Sequence, residues 1–197
     1  MPATPDQPSD RVRAAWATWV PFSDPDPDLD AELEAALLHS SPAWDAFFHE
    51  VIHAFDEAAD GHWIEYALRY ASRATNRTQA IRDLEHVLDH PERYLVLGGL
   101  YSAAASHLGR IAPYPNEALM RLMLRPNTGE EWTDFDLVFA RAAAFGAYVM
   151  TATTFDHGLN AGRQVKASGR RPTREDAEAL IRAWQGQQET APPQDAP

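Results

Sequence analysis

Residues 41–61 read S-P-A-W-D-A-F-F-H-E-V-I-H-A-F-D-E-A-A-D-G. Ser41 followed by Pro42 is a helix start: a capping hydroxyl, then a proline whose missing N–H is no loss at the first helical position. Beyond it, Trp44, Phe47, Phe48, Val51, Ile52 and Phe55 recur at i, i+3, i+4, i+7, i+8 and i+11. That is the period of an α-helix with one apolar face. The spacing predicts a helix to about Asp60, with Gly61 as its stop.

The same period organises the segments on either side. Upstream, Ser9 caps a helix that carries Val12, Ala15, Trp16, Trp19 and Val20 and ends at Pro21. The run P-F-S-D-P-D-P-D (21–28) is a linker, and a helix follows near Leu29–His39. Downstream, helices are expected over about His62–Thr75, from a Thr78 cap onward, over Tyr94–Leu108, and over Asn116–Arg125. Gly98 and Gly99 fall inside the Tyr94–Leu108 stretch, where each costs about 1 kcal/mol relative to alanine, so a close neighbouring backbone is expected there. Thr133 with Asp136 reads as a capping box with Asp in the usual Glu place. It opens a long apolar run, Leu137 to Phe155, made mostly of small residues. Thr173 caps a last helix. No segment alternates as a strand does. The expectation is an all-α fold: one helical-bundle-like domain of eight or nine helices over 9–186, around a buried small-residue-rich helix near 133–157. Residues 1–8 and 187–197 are expected to be disordered.

Composition narrows the function. There is no cysteine, which excludes disulfides, thiolate metal sites and a cysteine nucleophile. The net charge of −12 is uneven: residues 1–60 hold 13 acids and 2 arginines. The remainder is close to neutral, so nucleic-acid binding is not expected, because phosphate contact needs clustered cations. The apolar run approaches membrane-spanning length, but its alanines and threonines argue against a span. Residues 1–10 have neither a basic start nor an apolar run, so no secretory leader is expected and the compartment is read as cytoplasmic.

One string names a chemistry. His49-Glu50-Val51-Ile52-His53 places two histidines four apart, on one face of a helix, where both can bind one Zn²⁺. The intervening glutamate is then placed as general base toward a metal-bound water. Residues 46–55 resemble the zinc-peptidase (zincin) motif, uncharged Val51 and Ile52 included. The resemblance implies His49 and His53 as ligands and Glu50 as the base, and it extends no further along the chain. The metzincin pattern wants Gly and His at the third and sixth positions after the second histidine, where Asp56 and Ala59 stand. The gluzincin pattern wants a glutamate some 18–29 residues after that histidine, and residues 66–82 contain no acid. The segment upstream reads as helices rather than the sheet those enzymes place there. The candidate metal set is therefore His49, His53 and Asp56, with His62 or Glu65 as a variant.

Other candidates are weaker. His86 and His90 are four apart, with His90 reading as a helix end before Pro91. Asp156-His157 reads as a helix-end pair. Arg69, Arg73 and Arg77 form a stripe that suits phosphate or, in preference, the acidic second and third helices, within the chain or across a dimer. Arg141 is expected to be buried and paired with Asp134 or Asp136, and a small-molecule pocket near Arg141 and Tyr148 is a further option. The leading expectation is a non-enzymatic all-α module acting through protein–protein contact, with another protein or as a homodimer, with no cofactor. The alternative is a zinc-dependent hydrolase built on 49–53.

Overall fold

The computed structural model describes residues 6–18, 27–55, 61–94, 99–112, 116–129, 131–151, 173–179 and 181–182. It is all-α, as the periodicity predicts, with no strand among the described residues. The helices are α1 (Asp10–Ala17), α2 (Pro27–Leu38), α3 (Pro42–Ala54), α4 (Gly61–Ala71), α5 (Arg77–Asp89), α6 (Pro91–Tyr94), α7 (Leu100–Ile111), α8 (Glu117–Leu124) and α9 (Glu131–Thr151). A further helical stretch covers 174–179. None of these helices is long and apolar enough to cross a membrane.

The apolar face of α3 is the floor of the core. Trp44, Phe47, Phe48, Val51, Ile52 and Phe55 are all buried. Trp44 stacks on Phe48 and meets Phe47 edge-on. Phe47 reaches Trp16 of α1 and Trp63 of α4, and Phe48 packs on Tyr70. Each such burial contributes roughly 1.5–3 kcal/mol, and each aromatic pair about 1 kcal/mol more. Together they make α3 the element that α1, α4 and α5 are built on.

Several boundaries differ from the sequence expectation, each for a local reason. α3 ends at Ala54, with Phe55 leaving helical geometry at φ −57°, ψ 131°. Gly61 opens α4 rather than closing α3. Asn76, not Thr78, caps α5, accepting from the Gln79 N–H at 3.1 Å; both residue types cap, and Asn76 stands where the helix begins. The stretch expected as one helix over 94–108 is divided into α6 and α7. Gly99 starts α7 at φ 90°, a left-handed conformation that favours glycine. A Cβ placed there would meet nothing within 4 Å, so at Gly99 the glycine serves the turn and not a close backbone approach.

α9 packs most extensively on α7. Leu137, Ala140, Ala144 and Phe145 of α9 are buried, as are Ala104, Ala105 and Leu108 of α7, while Phe139 stands 44% exposed. α9 begins at Glu131, before Thr133. Asp134 turns back and accepts from the N–H groups of Thr128 and Gly129 at 2.6 and 3.1 Å. Asp136 is buried and faces the start of α7, near Gly99, Tyr101 and Ser102. The reciprocal Thr–Asp capping box occurs instead at 173–176: the Thr173 N–H donates to Asp176 at 2.7 Å, and the Asp176 N–H donates back to the Thr173 hydroxyl at 3.3 Å.

Candidate metal centre

The polar side of α3 does not open to bulk water alone. Its flank lies against α5, and both ends of α3 are tied so that this flank is held in register. At the N-terminal end, the Asp45 carboxylate accepts from the Tyr70 hydroxyl at 2.7 Å, the Thr75 N–H at 3.1 Å and the Asn76 N–H at 2.7 Å, and also from the Thr75 hydroxyl. These groups sit at the end of α4 and the start of α5. At the C-terminal end, the last carbonyls of a helix lack internal partners. Here the Tyr94 hydroxyl donates to the Ile52 carbonyl at 2.8 Å, and the Arg93 guanidinium to that of Phe55 at 2.5 Å.

Between these ties, His49 and His53 face Asp83 of α5. His49 Nδ1 is 2.8 Å and His53 Nε2 is 3.0 Å from the same oxygen, Asp83 Oδ1. Gln79, one turn before Asp83, donates to that oxygen from Nε2 at 2.9 Å, and its nitrogen is 3.4 Å from His49 Nδ1. Asp83 is 5% exposed, so its carboxylate needs these donors to offset lost hydration. A carboxylate only accepts, so the bonds place the proton of His49 on Nδ1 and that of His53 on Nε2.

The three potential ligand atoms of His49, His53 and Asp83 lie within 4.8 Å of one another. Donor atoms around a tetrahedral zinc stand about 3.3 Å apart. The two N–O distances would open by roughly 0.3–0.5 Å to admit an ion. Two imidazoles and one carboxylate, with positions left over, is a donor set that suits Zn²⁺ and, in its octahedral form, Fe²⁺. A cavity of about 20 Å³ lies against His49, Gln79 and Asp83, floored by Phe48, Ile52 and small residues of α4. It is of the size that holds one water or one ion. An open cleft of about 620 Å³ adjoins it and shares Asp45, His49, Asn76 and Gln79 as walls.

The imidazoles continue past the trio. His53 meets His86 at 4.2 Å between ring centroids, and His86 meets His90 at 4.1 Å, the planes tilted by 34° and 39°. Burial first, then the neighbouring His53 and His90 rings and the Arg93 guanidinium, lowers the His86 pKa to about 4, against the pull of Asp83. His86 is therefore neutral near pH 7, and its Nε2 is buried with no hydrogen-bond partner among the described residues. His90 closes α5 as its C-cap and donates from Nδ1 to the His86 carbonyl at 2.8 Å.

Of the residues singled out in the sequence, His49 and His53 are brought together. Asp56 lies outside the described residues, and so do Asp156 and His157. His62 and Glu65 are exposed on α4 and take no part in the trio. Glu50 is exposed and lines neither the cavity nor the cleft. The arginine stripe is used inside the chain. Arg69 pairs with Glu34 of α2 at 2.9 Å, Arg73 donates to the Leu37 carbonyl at 2.7 Å, and Arg77 to that of Ile111 at 2.6 and 2.8 Å. Arg141 is half-buried, and both terminal nitrogens donate at 2.9 Å to the Asn127 side-chain oxygen rather than to an acid. The side chain of Tyr148 is outside the described ones.

Asp83 is the residue the sequence reading missed. It stands one position past the acid-free stretch 66–82. A signal was present: Asp83 falls three residues after Ala80 and four before Val87, both buried. An acid at the edge of an apolar stripe must find partners. In comparisons with known proteins, the chain matches no family model, no curated protein and no solved structure.

Proposed function

We propose that the protein binds a divalent metal ion, zinc in the first place, at His49, His53 and Asp83, and that hydrolysis at a metal-bound water is the chemistry this centre would support. The observation that carries the reading is convergence: two imidazole nitrogens from α3 meet one buried carboxylate oxygen from α5 at 2.8 and 3.0 Å. Such a set leaves coordination positions for a water or a substrate oxygen, which the ion would polarise. The neighbouring 620 Å³ cleft is within the size range of small-molecule sites. Metal binding rests on more observations than the general-base role of Glu50, which is exposed on α3.

A protein-contact module, alone or as a homodimer, ranks second. The Arg69–Glu34 pair answers within one chain part of the charge complementarity it invoked. What favours it is exposed apolar surface, Leu38 at 70% and Phe139 at 44%.

Elemental analysis of purified protein after dialysis against micromolar zinc tests the primary reading. The expected result is one zinc per chain, lost in His53→Ala. A wild-type chain that retains no metal would overturn it.

A further inference from the structure

Gln79 occupies a position in the trio that a cation would not tolerate as it stands. Its Nε2 is 2.9 Å from Asp83 Oδ1 and 3.4 Å from His49 Nδ1. These are the separations of two donors sharing one ion, for which about 3.3 Å is expected. The group that points there is an NH₂, the positive end of the amide dipole. With protons on His49 and His53, that orientation is right, because the amide joins them in donating to Asp83. With a divalent ion among them, the same NH₂ faces a positive charge at contact distance.

Two features make the response specific. The terminal torsion of glutamine is soft and roughly two-fold, so a half-turn exchanges Nε2 for Oε1 with little movement elsewhere. The backbone that carries the side chain is also fixed, since Gln79 sits in the first turn of α5 with its N–H bonded to the Asn76 cap at 3.1 Å. A half-turn therefore delivers a carbonyl oxygen to the spot the nitrogen now fills. Gln79 also lines both the 20 Å³ cavity and the larger cleft, so it stands where the ion would meet solvent.

We infer that Gln79 is the fourth protein donor of the centre: its amide turns over on metal binding and presents Oε1 to the ion beside His49, His53 and Asp83. The inference rests on the metal reading of the trio. Four protein donors fill a tetrahedral zinc, so an oxygen-bearing ligand, water or a carbonyl, would enter as a fifth donor, from the cleft that His49 and Gln79 line. In the absence of metal the amide keeps its NH₂ toward Asp83 and acts as a plain hydrogen-bond donor.

The test is a competition titration with zinc and a chromogenic chelator on wild-type protein, Gln79→Ala and Gln79→Glu, each checked for an unchanged helical spectrum. The same three are loaded with Mn²⁺, and exchangeable waters on the ion are counted by proton relaxation. Gln79→Ala is expected to bind zinc about tenfold more weakly, the low end of what a lost supporting group costs a metal site, and to carry one more water on Mn²⁺. Gln79→Glu keeps an oxygen in place and is expected to bind at least as tightly as wild type. Wild-type binding with unchanged affinity and water count in Gln79→Ala would overturn the assignment and leave the trio standing. Weaker binding with an unchanged water count would also overturn it, since Gln79 would then act through a bound water. A wild-type chain that binds neither ion would remove the trio and Gln79 together.

Discussion

Among the described residues, two carboxylates lie buried to nearly the same degree, Asp83 at 5% and Asp136 at 4% exposure. They solve the same problem with different partners. Asp136 of α9 meets the start of α7, where the N–H groups of Gly99, Tyr101 and Ser102 and the Ser102 hydroxyl favour its carboxylate against burial. Gly99, the α7 N-cap, has no side chain to do this. Asp83 of α5 meets two imidazoles and an amide. Backbone N–H groups at a helix start cannot go elsewhere, so Asp136 is bound to a structural task. Imidazoles can exchange a proton for a metal, so the partners of Asp83 leave it a second use. Equal burial therefore does not mean equal role, and the chemistry of the partners separates the two.

Breaking each carboxylate in metal-free protein should expose the difference. Asp136→Ala strips the α7 N-terminus of its acceptor and is expected to cost about 1–3 kcal/mol in denaturant unfolding. Asp83→Ala should cost less, about 1 kcal/mol, because His49 and His53 are 43% and 37% exposed and can turn to water. An Asp83→Ala loss as large as that of Asp136→Ala would mean that both are purely structural clasps.

Two buried groups at and beside α7 respond to pH in opposite senses. Burial holds the Asp136 carboxyl above the ordinary aspartate range, against the pull of its hydrogen bonds, and its Oδ2 has no partner among the described residues. Protonation thus favours the folded state. That contribution is whole below the unfolded value near 4 and is lost as pH rises through the raised folded value. Asp136→Asn should flatten this part of the stability–pH curve. On α7, His107 behaves oppositely. Burial, then the charges of Arg110 and Arg69, lowers its pKa to about 4. A base depressed in the folded state contributes stability that is whole above about 6.5 and lost as pH falls toward 4. The smallest and most local readout is its ring proton resonance, expected to titrate near pH 4; a midpoint near 6.5 would contradict the buried, neutral assignment.

How much of this could be read in the sequence follows from range. The α3 helix was legible because its apolar residues repeat at helical spacing within fifteen positions, and burial agrees at every one of them. His49 and His53 were legible for the same reason, since four residues along a helix is a local relation. The partner was not, because Asp83 is 30 residues beyond His53. Only the packing of α3 on α5, set by the ties of Asp45, Arg93 and Tyr94, brings it near. Glycine shows the other limit. Gly99 could have been a small helical residue or a left-handed cap, and the letter is the same for both; the backbone at φ 90° decides. The pairing of Asp136 with α7 was hidden likewise, because a nearby Thr133 offered a simpler local partner.

The most direct test of the central claim is calorimetric titration of zinc into wild-type protein, Asp83→Asn and Asp136→Asn side by side. Wild type and Asp136→Asn are expected to bind one zinc per chain with matching affinity. Asp83→Asn, which keeps the shape but not the anionic ligand, should bind at least about 100-fold more weakly. Zinc binding that survives unchanged in Asp83→Asn, or is lacking in the wild type, would contradict the account.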